Sequence, residues 1–333
     1  MKKILALLLL LSVFLIVFTA CQKNAPAGDS QSGDTPDGDE GLITVGFSQV
    51  GAESDWRMAN TKSMKETFTE ENGYKLIFKD AQQKQENQIE ALRGFVKARV
   101  DYIVIAPLVE TGWDEVLAEV RDAGIPIIIA DRMIDVSDDT LYACWVGSDF
   151  RSEGDAAAAW MEETLGPDLK IAHMQGTLGA SAQIGRTDGL DAALAKNAGW
   201  ELVLRDSGDF TEVNGKEVME RFLKENSGFD VLYCENDNMA FGAIDALRAA
   251  GKSFGADGGI TIISFDATHA GLDDTLAGLI HYNVECNPLH GPRVAEIITQ
   301  LQAGRTPQKL NYVDEISFDA ATITQADIDA RDY

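Results

Sequence analysis

The stretch GIPIIIADR, Gly124 to Arg132, decides the fold. Its glycine tolerates the left-handed backbone that ends a helix, and Pro126 opens a strand where no ladder donor is lost. The apolar run that follows is that of a strand covered on both faces, as in a parallel sheet. The run then stops on a charge pair, Asp131-Arg132. Such a pair at a buried strand end is costly unless something satisfies it, which favours function over a helix cap or a loop salt bridge.

Working outward, short β-branched runs alternate with amphipathic stretches, the signature of βαβ units. Toward the N-terminus the spacing predicts strand 43–48, helix 54–70, strand 75–79, helix 86–98, strand 102–105 and helix 112–123, with the decisive strand at 126–130. A second series follows: helix 152–165, strand 170–174, helix 182–198, strand 201–207, helix 214–225, strand 231–234, helix 239–250 and strand 260–265. Gly251 and Gly199 are read like Gly124, as helix ends. Strand 279–285, helix 288–302 and a last strand near 312–318 exceed what the second sheet needs, so the chain is expected to cross back between lobes. The fold class is therefore α/β, with two doubly wound parallel-sheet, Rossmann-like lobes. The N-terminal lobe is expected to hold residues 42–147 plus 286–309, and the C-terminal lobe 148–285 plus 310–333.

The N-terminus has the layout of a secretory signal: Met1-Lys2-Lys3, an unbroken apolar run from Ile4 to Phe18, then Thr19-Ala20-Cys21. Residues 1–20 are read as a signal peptide and Cys21 as a lipidation site, although Phe18 stands where lipoboxes usually carry Leu. The stretch up to residue 41 is Gly, Ser, Asp, Pro and Gln with almost nothing apolar, a flexible tether. Its aspartates (Asp29, Asp34, Asp37, Asp39) lack the spacing and closing Glu of an EF-hand. The expected location is extracytoplasmic: the outer face of the cell membrane, or the periplasm.

A net charge of −26 repels nucleic acid phosphates and anionic lipid, so neither nucleic acid nor a polybasic membrane contact is expected. Cys144, Cys234 and Cys286 are odd in number and far apart, hence read as buried free thiols. With the four histidines scattered, no metal and no cofactor are expected.

In open α/β sheets ligands bind beyond the carboxyl ends of the strands. Those ends carry Ser48-Gln49, Asp131-Arg132, Gln175, Asn236-Asp237, Asp266 and Glu285. Carboxylates accept from sugar hydroxyls while guanidinium and amide donate, and the charge-assisted bonds are the strong ones, so the set suits a neutral polyol. The C–H face of a sugar asks for an aromatic wall, for which Trp56 and Phe210 stand on strand-to-helix connections. Arg57 and Arg186 are further donors, while Trp113, Trp145, Trp160 and Trp200 fall in packing patterns. The segment Gly176–Ser181 lacks the third glycine and the Lys of a phosphate loop, and is read as a tight turn.

Several phrases carry a resemblance: VGFSQVGAESDWR (Val45–Arg57, which includes Glu53), DAQQKQENQIEALRGFV (Asp80–Val96), DYIVIAPLVETGW (Asp101–Trp113), IPIIIADRMIDV (Ile125–Val136), MQGTLGAS (Met174–Ser181), SGDFTEVNGKEVME (Ser207–Glu220) and CENDNMAFGAIDAL (Cys234–Leu247). Together they resemble the ribose/galactose-type periplasmic binding proteins, and within them the galactofuranose-binding components of bacterial ABC importers. The resemblance implies a type I fold with three hinge crossings, a monomer, a monosaccharide ligand and delivery to ABC permease subunits. It assigns ligand binding to Ser48, Glu53, Trp56, Arg57, Asp131, Arg132, Arg186, Phe210, Asn236, Asp266 and Glu285. Two departures stand out: Asp266 is followed by Ala-Thr-His rather than a Gly-rich turn, and Cys286 follows Glu285 where relatives often have Leu.

Two rival functions would draw on the same residues. A glycosidase would need Asp131 and Asp266 as an acid/base pair with an open water path, and no nucleophile motif accompanies them. A sensory module would use the same site and differ only in its partner. The expectation is a binding protein, not an enzyme.

Overall fold

Twelve strands and ten helices build the chain, described here for residues 41–225 and 228–333 of a computed structural model. The expected signal segment, Cys21 and the tether through residue 40 lie outside the described residues.

The first sheet takes β1 (Ile43–Gln49), β2 (Tyr74–Asp80), β3 (Tyr102–Ile105), β4 (Ile127–Ala130) and β5 (Cys144–Gly147), interleaved with α1 (Asp55–Thr67), α2 (Gln85–Ala98) and α3 (Asp114–Asp122). The chain then passes to α4 (Phe150–Thr164), β6 (Leu169–Gln175), α5 (Ser181–Lys196), β7 (Trp200–Ser207), α6 (Glu212–Glu225), β8 (Val231–Cys234), α7 (Asp237–Ala249), β9 (Thr261–Asp266), α8 (His269–Leu276) and β10 (Tyr282–Glu285). It ends with α9 (His290–Gln302), β11 (Leu310–Tyr312), β12 (Ser317–Asp319) and α10 (Gln325–Asp329). The two sheets run β11-β5-β4-β3-β1-β2 and β12-β10-β9-β8-β6-β7, parallel throughout except for the antiparallel edge strand β12.

Physical patterning explains the layers. Strands β3, β4 and β8 are buried at every position. Successive side chains go to opposite faces: Ile128 and Ala130 join one core cluster with Val45 and Phe47, whereas Ile127 and Ile129 join another with Phe95 and Trp113. The second sheet repeats this, with Leu232 in one cluster and Tyr233 in the other. The outer strand β2 alternates less strictly and carries Lys75 and Lys79, which suits an edge.

Gly124 and Gly251 adopt φ of +75° and +65°, as read from the sequence. Gly199 does not share that reason: a Cβ there would meet the carbonyl oxygen of Pro167 at 2.4 Å, so what it supplies is space. The segment expected as one strand near 312–318 is two, one in each sheet. Leu310–Tyr312, expected in the C-terminal lobe, pairs with β5 of the first sheet (Leu310 beside Trp145), where Tyr312 packs edge-on against the Trp145 ring with centroids 5.2 Å apart. The third crossing therefore runs from Val313 to Ile316 rather than beginning at 310; the first is Ser148-Asp149 and the second Cys286–Leu289. Cys144, Cys234 and Cys286 are free and buried. Among the described residues no helix is long and apolar enough to cross a membrane.

Candidate functional site

The strand ends of both sheets converge on a cavity between the lobes. Three guanidinium groups (Arg57, Arg132, Arg186) and three carboxyl groups (Glu53, Asp131, Asp266) line it, with Trp56, Phe150 and Phe210 as aromatic walls. Every one of the three arginines is 3% exposed or less.

The first lobe supplies a closed ion network. Ser54 caps α1, accepting from the Arg57 amide, so Asp55-Trp56-Arg57 form a first turn that starts at the cleft. Arg57 Nε donates to Glu53 Oε1 at 3.0 Å, and its Nη1 lies 2.6 Å from Asp131 Oδ2, an ion pair off the line of a hydrogen bond. Gln49 Oε1 accepts from the same Nη1 at 3.2 Å and fixes the guanidinium from behind. Arg132 reaches Glu53 Oε1 at 3.4 Å and donates to the Leu108 carbonyl at 3.0 Å. Burial opposes charge on Arg57, but Asp131 and Glu53 outweigh it and raise its pKa. Arg132, buried and beside Arg57, is lowered to about 10. Asp131 holds φ at +63°, a left-handed conformation that Asp tolerates better than most residues, while its carbonyl accepts from the Trp145 indole at 2.8 Å.

The second lobe is less balanced. Arg186, on the second turn of α5, pairs with Glu153 Oε2 at 2.6 Å and stands 3.5 Å from Asp266 Oδ1, with the Phe265 ring 4.9 Å from its carbon. One guanidinium thus serves two buried carboxyls. Burial pushes Asp266 well above the usual carboxylate range, with Asp237, Glu153 and Asp131 adding to the effect that Arg186 opposes. Asn236 combines the two roles open to it in the sequence: it caps α7, donates to the Phe210 carbonyl at 3.1 Å and faces the cavity. Gly176 makes room for Phe210, because a Cβ there would fall 1.9 Å from the ring. That explains the glycine turn by space rather than by phosphate.

The lobes are closed on each other. The Asp55 amide donates to Asn238 Oδ1 at 3.0 Å and Asn238 Nδ2 returns to Asp55 Oδ2 at 3.3 Å. The Met133 amide donates to Ser181 Oγ at 2.8 Å, the Glu110 amide to the Gly179 carbonyl at 2.9 Å, and the Trp56 indole to the Cys286 carbonyl. The Arg132 guanidinium lies over the Phe210 ring at 5.2 Å, charge from one lobe on the π face of the other.

Nine of the residues singled out from sequence thus meet at one cavity, and two do not. Ser48 is fully buried in β1, where its hydroxyl finds no partner. Glu285 points away: it accepts from Arg331, from the Tyr333 hydroxyl at 2.8 Å and from the Ile316 amide at 3.1 Å, tying the C-terminal tail to the hinge. Its pKa is lowered, since Arg331 and Tyr333 overcome its burial. Its neighbour Cys286 lines the cavity instead, together with Ser54, Phe150 and Ala182. Phe150 and Glu153, the partner of Arg186, stand at the start of α4 just past the short strand β5 (CWVG), which is absent from the expected series of elements. Asp237 is structural, held by Ser264, Thr268 and Asn283, with burial raising it to about 6. Glu153, Cys286 and Glu315 bring their polar atoms within 4.8 Å of one another. The Ser148 hydroxyl joins them, 2.6 Å from Glu315 Oε1 and 3.3 Å from Cys286 Sγ, making a hydrogen-bonded cluster.

Comparison with known proteins agrees with this geometry. The pattern of the family described as Periplasmic binding protein domain matches residues 45–290. The galactofuranose-binding protein YtfQ of Escherichia coli (strain K12) is 42% identical over 273 residues, 80% of this chain and 85% of that protein. A Mycobacterium smegmatis protein solved with β-D-fucofuranose is 42% identical with a TM-score of 0.80, covering 84% of this chain and 92% of that one. The arabinose ABC transporter component of Shewanella sp. ANA-3, solved with L-arabinofuranose, is 40% identical with a TM-score of 0.81, covering 87% and 95%.

Proposed function

Because the chain belongs to the periplasmic binding protein family, with its type I two-lobed fold, we propose that it captures a monosaccharide in furanose form, galactofuranose first among candidates, and delivers it to the permease of an ABC importer. The observation that carries the reading is the cavity itself, lined by three arginines and three carboxyls buried together. Guanidinium and carboxyl groups stand together in the wall, and a polyol both donates and accepts and so satisfies both kinds of group. A site built to hydrogen-bond hydroxyls discriminates strongly against sugars that leave one of its polar groups unpaired. The family resemblance assigns the binding role, and the cavity supports it for Glu53, Trp56, Arg57, Asp131, Arg132, Arg186, Phe210, Asn236 and Asp266.

The three relatives named above are described by furanose or pentose ligands, which favours a five-membered ring. The pairing of Asp131 with Arg57 supports binding rather than turnover. Capture outside the cytoplasm, on a tether anchored through lipid at Cys21, completes the proposal, with closure around the sugar as the signal to the permease.

The test is a thermal-shift and calorimetric panel of pentoses and hexoses in both ring forms, since a ligand bound only to the folded state raises its melting temperature. A shift of several degrees with galactofuranose, fucofuranose or arabinofuranose, and little with the corresponding pyranoses, is expected. Equal shifts with pyranoses would overturn the ring assignment, and no shift with any sugar would overturn the ligand class.

A further inference from the structure

One carboxyl touches all three crossings between the lobes. Glu315 sits on the third, and its Oε1 accepts from the Ser148 hydroxyl on the first at 2.6 Å and from the Asn287 amide on the second at 2.6 Å. From there a chain of polar contacts runs to the cavity wall. Ser148 Oγ meets Cys286 Sγ at 3.3 Å, Cys286 Sγ lies within 4.8 Å of a Glu153 carboxylate oxygen, and Glu153 holds Arg186 at 2.6 Å. Cys286 also lines the cavity and offers its carbonyl to Trp56. Resting on the sugar-binding reading above, we infer that Glu315 is a positioning residue at the hinge, which takes up a proton as the lobes close and so makes sugar affinity depend on pH.

The direction follows from what surrounds it. From α4 come Glu153 and, at its N-cap, Asp149; from β10 and the second crossing come Glu285 and Cys286; from its own crossing, Asp314; and from the C-terminal tail Arg331 and Tyr333, both engaged by Glu285. Two neutral donors and a second buried carboxyl are poor support for a negative charge, so burial first and Glu153 next raise Glu315 to about 8. Opening the lobes lets water into the crossings and lowers the cost of the charge. The closed form therefore binds the proton more tightly. Closure is favoured as pH falls through about 8 toward the ordinary carboxyl range, by up to about tenfold per pH unit for one proton.

The experiment measures affinity for the sugar that binds best, and the radius of gyration of the sugar-free protein by small-angle scattering, from pH 8.5 to 6. Wild type should tighten by about fivefold or more, take up protons in buffers of differing ionisation heat, and become more compact without sugar. Glu315→Gln, a permanently neutral carboxyl, should bind at pH 8.5 as wild type does at pH 6 and show little slope. Glu285→Gln, at the same hinge but paired with Arg331, should keep the slope. A flat wild-type profile, or an unchanged slope in Glu315→Gln, overturns the inference. If no sugar binds at any pH, it is the ligand reading that fails, and the scattering series alone decides the hinge. If Glu315→Gln does not fold, proton uptake and compaction in wild type decide it.

Discussion

The two lobes repeat one backbone and fill it differently. Their sheets run β5-β4-β3-β1-β2 and β10-β9-β8-β6-β7, the same order of connection. Even the unusual backbone is repeated. Left-handed non-glycine residues follow the second strand of each sheet, Gln82-Gln83 and Asp209-Phe210, and stand at the end of the fourth, Asp131 and Asp266. A non-glycine residue at positive φ costs about 1–2 kcal/mol, so such positions persist where the surroundings hold them. Each fourth-strand aspartate faces an arginine from the first or second turn of a helix, Arg57 in one lobe and Arg186 in the other. The contents then diverge. In the first lobe two arginines and two carboxyls satisfy one another, and the wall is organised before a sugar arrives. In the second, Arg186 is shared between Glu153 and Asp266, and burial pushes Asp266 well above the usual carboxylate range. The repeat fixes where side chains stand, and residue type decides what each wall does.

The sharpest way to break this comparison is to make the same substitution at both aspartates. Asp131→Asn removes one charge from a buried quartet and leaves Arg57 and Arg132 with Glu53 alone. Losing one partner of a buried ion pair costs about 3–5 kcal/mol, so sugar affinity should fall by about two to three orders of magnitude. Asp266→Asn acts on a carboxyl that burial already pushes toward its neutral form and should cost about tenfold or less. Titration calorimetry at neutral pH decides, with thermal melts to confirm that both variants fold. Comparable losses would mean that the walls are electrostatically alike.

The same contrast shows how much was legible in the sequence. Asp131-Arg132 could be read because it directly follows the apolar run IPIIIA, and Asp266 and Asn236 because they stand at or just past the ends of the strands ISF and VLYC, where strand ends in this architecture face the cleft. Glu285 obeyed that pattern and misled. Adjacent residues at a strand end point to opposite sides, so the cavity receives Cys286 while Glu285 turns to Arg331 and Tyr333. Only the docking of the tail distinguishes the two. Ser48 failed in the same way, facing inward from β1. The short strand Leu310–Tyr312 is fixed by long-range pairing with β5, which no local pattern announces. Glu315 was invisible for that reason too, since its importance lies in three crossings meeting at one point.

Next in size is the pH dependence of stability. Asp266 and Glu315 are raised by burial, the latter to about 8, so the native state holds protons that the unfolded chain releases. Where the native state binds more protons, stability falls as pH rises. Each such group contributes at most about 1.4 kcal/mol per pH unit between the unfolded carboxyl range and its folded value. Two further groups oppose each other at lower pH. His290, lowered to about 4 by burial, destabilises as pH falls from 6.5, while Asp237, raised to about 6, stabilises over nearly the same interval. The melting temperature of the sugar-free protein should therefore rise by several degrees from pH 9 to 6 and go on rising until pH nears the ordinary carboxyl range. Asp266→Asn should flatten the climb and Asp131→Asn should not. A melting temperature that rises toward pH 9 would contradict the raised carboxyl of the second wall.

The smallest effect belongs to the rim, where the lobes meet as equals. Asp55 at the start of α1 and Asn238 at the start of α7 exchange two hydrogen bonds across the cleft, both made between groups that separate when the lobes open. Neither residue's contact is needed to fold its own lobe, because α1 is capped by Ser54 and α7 by Asn236. Asn238→Ala should therefore leave the sugar-free melting temperature within about a degree and raise the sugar's Kd by about threefold to tenfold, the worth of one or two partly buried hydrogen bonds. The change should appear in the dissociation rate, because the bonds form only after the sugar is enclosed. Ser181→Ala, which removes the acceptor of the Met133 amide, should act similarly and additively, since the two latches share no residue. A loss confined to the association rate would place the Asp55–Asn238 contact before enclosure, and the rim would then guide the sugar in rather than hold the lobes shut.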